Sequence, residues 1–133
     1  MRSILRSGET ARVQYESVKT VESAVVPGVR FTISKMSFGR RAELTRQIWE
    51  LANRAERLQA CDDARERLEA AVLTSEIERA YLHWGLQRVE GLTIDGQSAT
   101  VDMVIARGPE DLCREMLAAI RAECGLSEEE RKN

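Results

Sequence analysis

Apolar residues recur every three or four positions over much of the chain, and this spacing predicts two long consecutive helices. The first begins at Ser37, whose hydroxyl can accept from the free backbone N–H groups of a helix start. The second begins after Asp62 or Asp63, and a short polar turn between the two helices predicts an antiparallel hairpin. The predicted apolar stripes are Leu44, Ile48, Leu51, Ala55 and Leu58, then Leu68, Val72 or Leu73, Ile77, Tyr81 and Trp84.

Two shorter helices are predicted in the C-terminal part, one from Thr100 and one from Pro109. Proline suits the first turn of a helix, and the two acidic residues that follow it favour the positive end of the helix dipole. The buried stripe of the last helix is predicted to be Leu112, Met116, Ile120 and Cys124. The segment SEEE has the spacing of a capping box, so residues 127–133 are predicted to form a frayed tail.

Glycines between the second and third helices are interpreted as turn residues. Gly85 follows the last periodic residue of the second helix, where a left-handed cap favours glycine, and Asp95 with Gly96 predicts a tight turn. A small β-turn segment is therefore expected near residues 89–97. A phosphate-binding loop would need GxxxxGK[ST] or GxGxxG spacing, and neither pattern occurs.

The N-terminal part predicts a short antiparallel pair of strands. Residues 29–35 alternate apolar and polar side chains, residues 11–18 do so less regularly, and a proline–glycine turn at 26–28 separates them. Residues 1–27 are expected to form a strand or to be flexible. The predicted fold is thus one mainly α domain over 1–133, with a long helical hairpin, C-terminal helices and a short N-terminal β element.

Composition disfavours several classes of function. The formal net charge is −2, which creates no general attraction for nucleic acid or for a membrane. No apolar run is long enough to span a bilayer, and the N-terminus has no apolar signal core, so a cytoplasmic protein is expected. Three cysteines without a CxxC motif and a single histidine, His83, cannot complete a usual zinc set. We expect reduced thiols, no catalytic residue, no cofactor and no metal.

A local basic run provides the nucleic-acid alternative. Five basic residues between Arg30 and Arg46 are opposed only by Glu43, and Phe31 and Phe38 lie among them. Basic residues near aromatic rings can bind phosphates and stack on bases. The other interpretation is a basic helix start facing acidic residues elsewhere in the fold, and the absence of a nucleic-acid-binding motif favours it.

Three stretches, residues 31–60, 75–100 and 108–133, resemble small proteins of tailed bacteriophages and prophages described as tail assembly chaperones. The most recognisable parts are SFGRR, WGL…VEGL.IDG and the ending GLSEEERKN. These are patterns of helix starts, turns and core residues rather than catalytic signatures. The resemblance extends over residues 29–133 and does not include residues 2–26, which leaves a structural virion component, such as a tail or head–tail adaptor protein, as the alternative.

The resemblance implies a non-enzymatic function in the cytoplasm of a bacterial host cell. Such chaperones bind the long helical tape measure protein before the tail tube polymerises around it, and they prevent aggregation of its apolar faces. The physical requirement is an apolar groove with a charged rim. Side chains off the main stripes can contact a partner or another copy of the chain, or can extend the core instead. The candidate partner-binding residues are Trp49, Leu82, Trp84, Arg40 and Arg41.

Overall fold

The structure is a computed structural model that describes residues 12–60 and 63–125, and most of these residues are helical. The helices are α1 (Phe38–Gln59), α2 (Ala64–Gly85), α3 (Val101–Arg107) and α4 (Glu110–Glu123). The strands are β1 (Val18–Glu22), β2 (Arg30–Ser34), β3 (Leu86–Glu90), β4 (Thr93–Ile94) and β5 (Gln97–Ser98). A mainly helical chain with small β elements is therefore confirmed. The predicted frayed tail at 127–133 and the alternative cap at Asp62 lie outside the described residues.

Side-chain caps explain why three of the helices begin where they do. Ser37 accepts from the backbone N–H of Arg40 at 3.2 Å, and Asp63 accepts from that of Arg65 at 2.9 Å. Thr100 caps α3 in the same way, at 3.2 Å. Each side chain satisfies one of the N–H groups that a helix start leaves without a backbone partner.

The first three strands form an antiparallel sheet in the order β1-β2-β3, so β2 is its central strand. Strand β1 begins at Val18, later than the predicted segment 11–18, because Val13 and Tyr15 are exposed. Strand β3 was not predicted. It pairs with β2, and the pairing register shifts between Thr32 and Ile33. Only the first and fourth residues of β3 are buried, so its side chains do not alternate between buried and exposed as those of a regular strand do.

Helix α4 packs against β2 and α2, and its apolar face completes the core. Acidic residues beside that face connect α4 to β1 and to the loop that follows it. Glu115 accepts from the Ser23 hydroxyl at 2.6 Å and from the Ala24 N–H at 2.7 Å, and Glu123 accepts from Lys19 Nζ at 3.0 Å. The predicted stripe is confirmed, because these residues are all buried: Leu112, Met116, Ile120 and Cys124.

Gly85 does not have the predicted role of a left-handed helix cap. It is the last residue of α2, its φ is not positive, and it is buried. A Cβ built on it would lie 2.7 Å from Cγ2 of Ile120, closer than two carbon atoms pack. Glycine is needed here because α2 and α4 approach each other closely.

The predicted tight turn at Asp95 and Gly96 is confirmed. It connects β4 to β5, and both residues have positive φ, at 52° and 81°. Two consecutive positive values are the geometry of the hairpin turn that favours Asp–Gly.

The contact at Gly85 generates a first prediction. Gly85→Ala should destabilise the fold by about 1–3 kcal/mol, because Ile120 is fully buried and the added methyl overpacks the core. Ile120→Ala alone should cost about 2–5 kcal/mol through the cavity that it leaves. The double variant should lose less stability than the sum of the two, because one change makes room for the other. Chemical denaturation of the four proteins measures these differences, and strict additivity would show that the two residues do not meet.

Candidate functional site

Helix α1 packs extensively against a single element of the described chain, α2. Leu44 and Ala55 are buried in this contact, whereas Ile48, Leu51 and Leu58 remain half-buried. A helix in the interior of a domain usually contacts several neighbours and buries its whole apolar stripe. One side of α1 is therefore left without a covering element in the part of the chain that the structure describes.

A groove of about 310 Å³ lies on this side, between α1 and α2. Its apolar lining comes mainly from half-buried residues of both helices, with Glu56, Gln59 and Thr74 adding polar atoms. One residue of α4, Arg121, also lines it. The full lining is Ile48, Ala52, Ala55, Glu56, Gln59, Thr74, Ile77, Tyr81 and Arg121.

Two arginines make the α4 end of the groove basic. The guanidinium carbon of Arg121 lies 5.2 Å from the centre of the Tyr81 ring, a cation–π distance that places the charge at the groove. Arg41 is exposed and lies two helical turns before Ile48, on the same side of α1. Its charge also acts on the Cys124 thiol at the end of α4, although burial dominates and raises the pKa of that thiol.

Trp49 is the candidate residue that extends the groove most directly. Its side chain is 63% exposed, and it lies three residues before Ala52 and seven before Glu56, hence on the groove side of α1. The other large exposed apolar residues of the long helices are Phe38 at the start of α1 and Leu68 and Val72 in α2. The prediction that Leu68 belongs to the buried stripe is wrong, because Leu73 and Ala70 take the inward positions.

Leu82 and Trp84, proposed from the sequence as partner-binding residues, belong to the core instead. Both are buried, at 7% and 5% exposure, because the end of α2 is surrounded by the sheet, α3 and α4. They are not available to a partner in this conformation.

Arg40 also has a structural position. Its Nη1 donates to Glu43 at 2.6 Å, and its Nη2 donates to the Ser34 hydroxyl at 3.1 Å and to the backbone carbonyl of Trp84. Its guanidinium carbon lies 4.5 Å from the centre of the Trp84 ring. Arg40 therefore connects the start of α1 to β2 and to the end of α2, whereas its neighbour Arg41 stays exposed.

Part of the basic run is engaged within the fold. Phe31 is fully buried and cannot stack on a base, and Arg30 lies 3.9 Å from Glu22 and 3.6 Å from Glu90. At Arg30 and Arg40 the geometry agrees with the second interpretation, in which the basic residues face acidic residues of the same chain, whereas Arg41 and Arg46 are exposed.

His83 lies in the last turn of α2, half-exposed, with its Nδ1 3.8 Å from Asp102 Oδ1. Burial raises the pKa of the Cys113 thiol, which donates to the carbonyl of Val104 at 3.3 Å. Within residues 12–60 and 63–125, no cluster of three or more His, Cys, Asp or Glu side chains could hold a metal ion, while Cys61 lies outside these ranges. No described helix is long and apolar enough to cross a bilayer.

No family model matches the chain, and no match was found among curated proteins or among solved structures. The candidate site therefore rests on its own geometry. The sequence indicated Trp49 and Arg41, but not Tyr81 and Arg121, which reach the groove from positions 40 residues apart.

The position of Arg40 generates a second prediction. Arg40→Met should destabilise the protein by about 1–3 kcal/mol, because the Trp84 carbonyl and Ser34 lose a donor in a partly buried setting. Arg40→Lys should restore little, since an ammonium group cannot reproduce the planar stacking and the divergent hydrogen bonds. Arg41→Met is the matched control and should stay within about 0.5 kcal/mol of the wild type. Thermal or urea unfolding checks this, and equal losses for the two arginines would contradict the assigned position of Arg40.

Proposed function

We propose that the protein is a non-enzymatic chaperone of phage tail assembly, which binds amphipathic helices of the tape measure protein in the groove between α1 and α2. The observation that carries the proposal is the uncovered groove, whose lining combines apolar and polar side chains, together with the exposed Trp49 beside it. The identity of the partner comes from the resemblance to tail assembly chaperones, which also places the function in the cytoplasm of the bacterial host.

The groove has the chemistry that an amphipathic helix requires. Ile48, Ala55 and Ile77 supply apolar contact, and Glu56 and Arg121 supply charges near the two ends. A helix that covered Trp49 would remove roughly 100–150 Å² of apolar surface from water, a contribution of about 2–4 kcal/mol before the costs of association. Affinity from this source is non-directional, which suits a protein that must bind several helices of one long partner.

The lining also supports a binding function more than a catalytic one. Its titratable side chains are Glu56, Tyr81 and Arg121, and the guanidinium of Arg121 lies over the Tyr81 ring. The hydroxyl of Thr74 donates to the backbone carbonyl of Ala70 at 3.0 Å. This set does not assemble a nucleophile with a base and an orienting group, which acyl or phosphoryl transfer chemistry requires.

The third prediction tests the groove through solubility of the partner. Co-expression with the tape measure protein should keep that protein in the soluble fraction, and Ala52→Glu should abolish the effect by placing a charge among the apolar residues of the groove. Ser75→Glu is the matched control, because Ser75 is exposed on α2 outside the groove lining. Circular dichroism establishes that both variants are folded.

The binding should persist at moderate salt, because apolar contact is not screened, whereas phosphate-driven binding would fall steeply. Unchanged aggregation of the tape measure protein, with this chain recovered as a stable component of finished particles, would replace the chaperone proposal with the structural virion alternative.

A further inference from the structure

Helix α1 carries two seams of apolar and small residues, and α2 covers only part of the first. The first seam faces α2 and consists of the predicted stripe from Leu44 to Leu58. The second seam begins nearer the helix start and has the same alternation of four- and three-residue steps, which is the spacing of coiled-coil seams. Its members are Phe38, Ala42, Thr45, Trp49 and Ala52.

The two seams lie side by side on α1. From Thr45 onward each residue of the second seam follows a residue of the first by one position, a rotation of about 100° around the helix. Phe38 is 96% exposed and Trp49 is 63% exposed, and no described element covers the seam between them. Ala52 belongs both to this seam and to the groove lining, so the seam and the groove form one continuous surface.

The shape of this surface fits one further helix. Small side chains at Ala42, Thr45 and Ala52 leave space on either side of Trp49, where large apolar residues of an incoming helix can insert. The other wall consists of Thr74, Ile77 and Tyr81 of α2. A helix in this position would complete a bundle of three helices with α1 and α2.

Charge distinguishes the two ends of the surface. Arg41 and Arg121 lie at the α4 end, whereas at the far end Glu56 lines the groove and the exposed Arg67 lies one heptad before Thr74 on α2. Among the described residues that border the surface, the α4 end therefore carries two positive charges, and the far end carries charges of both signs. Acidic side chains of an occupant are favoured at the α4 end.

We infer that the surface formed by the second seam and the groove binds one amphipathic helix with apolar residues at alternating three- and four-residue steps, and that an acidic end of this helix lies against Arg41 and Arg121. This inference rests on the proposed function and adds to it the pattern and the polarity of the segments that are bound.

Two synthetic peptides of three heptads test the inference with the full chain. They share one apolar seam and differ only in two residues at one end, which are both glutamate or both lysine. At low salt the glutamate peptide should bind about tenfold more tightly than the lysine peptide. Fluorescence anisotropy of labelled peptides measures the affinities, and high salt should reduce the preference while leaving the apolar binding.

Charge reversal in the protein gives the decisive comparison. Arg41→Glu with Arg121→Glu should invert the preference, and Arg41→Gln with Arg121→Gln should abolish it while leaving both peptides bound. The matched control is Arg54→Glu with Arg79→Glu, which makes the same charge change on exposed residues of α1 and α2 outside the groove and should leave the preference unchanged. Circular dichroism of each variant establishes that it is folded.

The outcomes separate this inference from the function on which it rests. Equal affinity of the two peptides for the wild type, or an unchanged preference in the glutamate variant, would overturn the charge assignment while peptide binding still supports the groove. Failure of both peptides to bind, with the tape measure protein still kept soluble, would overturn the three-helix mode alone. A wild-type dimer that Ala52→Glu dissociates in sedimentation experiments would assign the surface to a second copy instead.

Discussion

The close approach of α2 to α4 determines how the rest of the chain is arranged. Gly85 permits this approach because Ile120 occupies the space of its missing side chain. The chain then enters β3 directly at Leu86, so the same contact places the sheet edge against the core. The end of α2 is thereby fixed among the sheet, α3 and α4, whereas its first half extends beyond them with α1. The hydrophobic core and the α1–α2 pair are therefore joined through the end of α2 and the start of α1, where Leu44 belongs to the core cluster and Arg40 donates to Ser34.

The protein therefore has two parts that differ in packing, a densely packed core and the α1–α2 pair, which fewer elements cover. Strands β2 and β3 and helix α4 bury their large apolar residues, and ion pairs and hydrogen bonds to Lys19, Ser23 and Glu78 connect α4 to β1, to the residue after it and to α2. Among the described elements, α1 packs extensively only against α2, and the hydrogen bonds of Arg40 connect its start to β2 and to the end of α2. A surface that is apolar, half-buried and held in place from one end is suited to accept another helix, because much of the order needed for binding already exists.

The sequence predicted the helices well because each begins at a strong local signal, such as Ser37 or Thr100, and has a regular apolar period. It did not predict β3, because this strand has only five residues and its apolar and polar side chains do not alternate. The shift in its pairing with β2 accounts for that irregular pattern. The predicted buried stripe of α2 was wrong at Leu68, because periodicity identifies the apolar face of a helix but not how far along the helix its neighbours extend.

For the candidate site, the sequence indicated Trp49, because this apolar residue lies off the main stripe of its helix. The sequence did not indicate the burial of Leu82 and Trp84 or the contribution of Arg121 to the groove. These features depend on tertiary contacts between residues that are distant in the sequence.

Hydrogen–deuterium exchange of the free and partner-bound protein tests the central claim most directly, because it reads the stability of each element separately. In the free protein, the amide hydrogens of α1 from Thr45 to Gln59 should exchange faster than the amide hydrogens of β2 and α4, because the free energy of opening is smaller in α1. Addition of a tape measure segment should then protect α1 and the part of α2 from Thr74 to Tyr81, with little change in β2. Protection confined to the sheet or to α3, with α1 unchanged, would contradict the assignment of the groove as the binding surface.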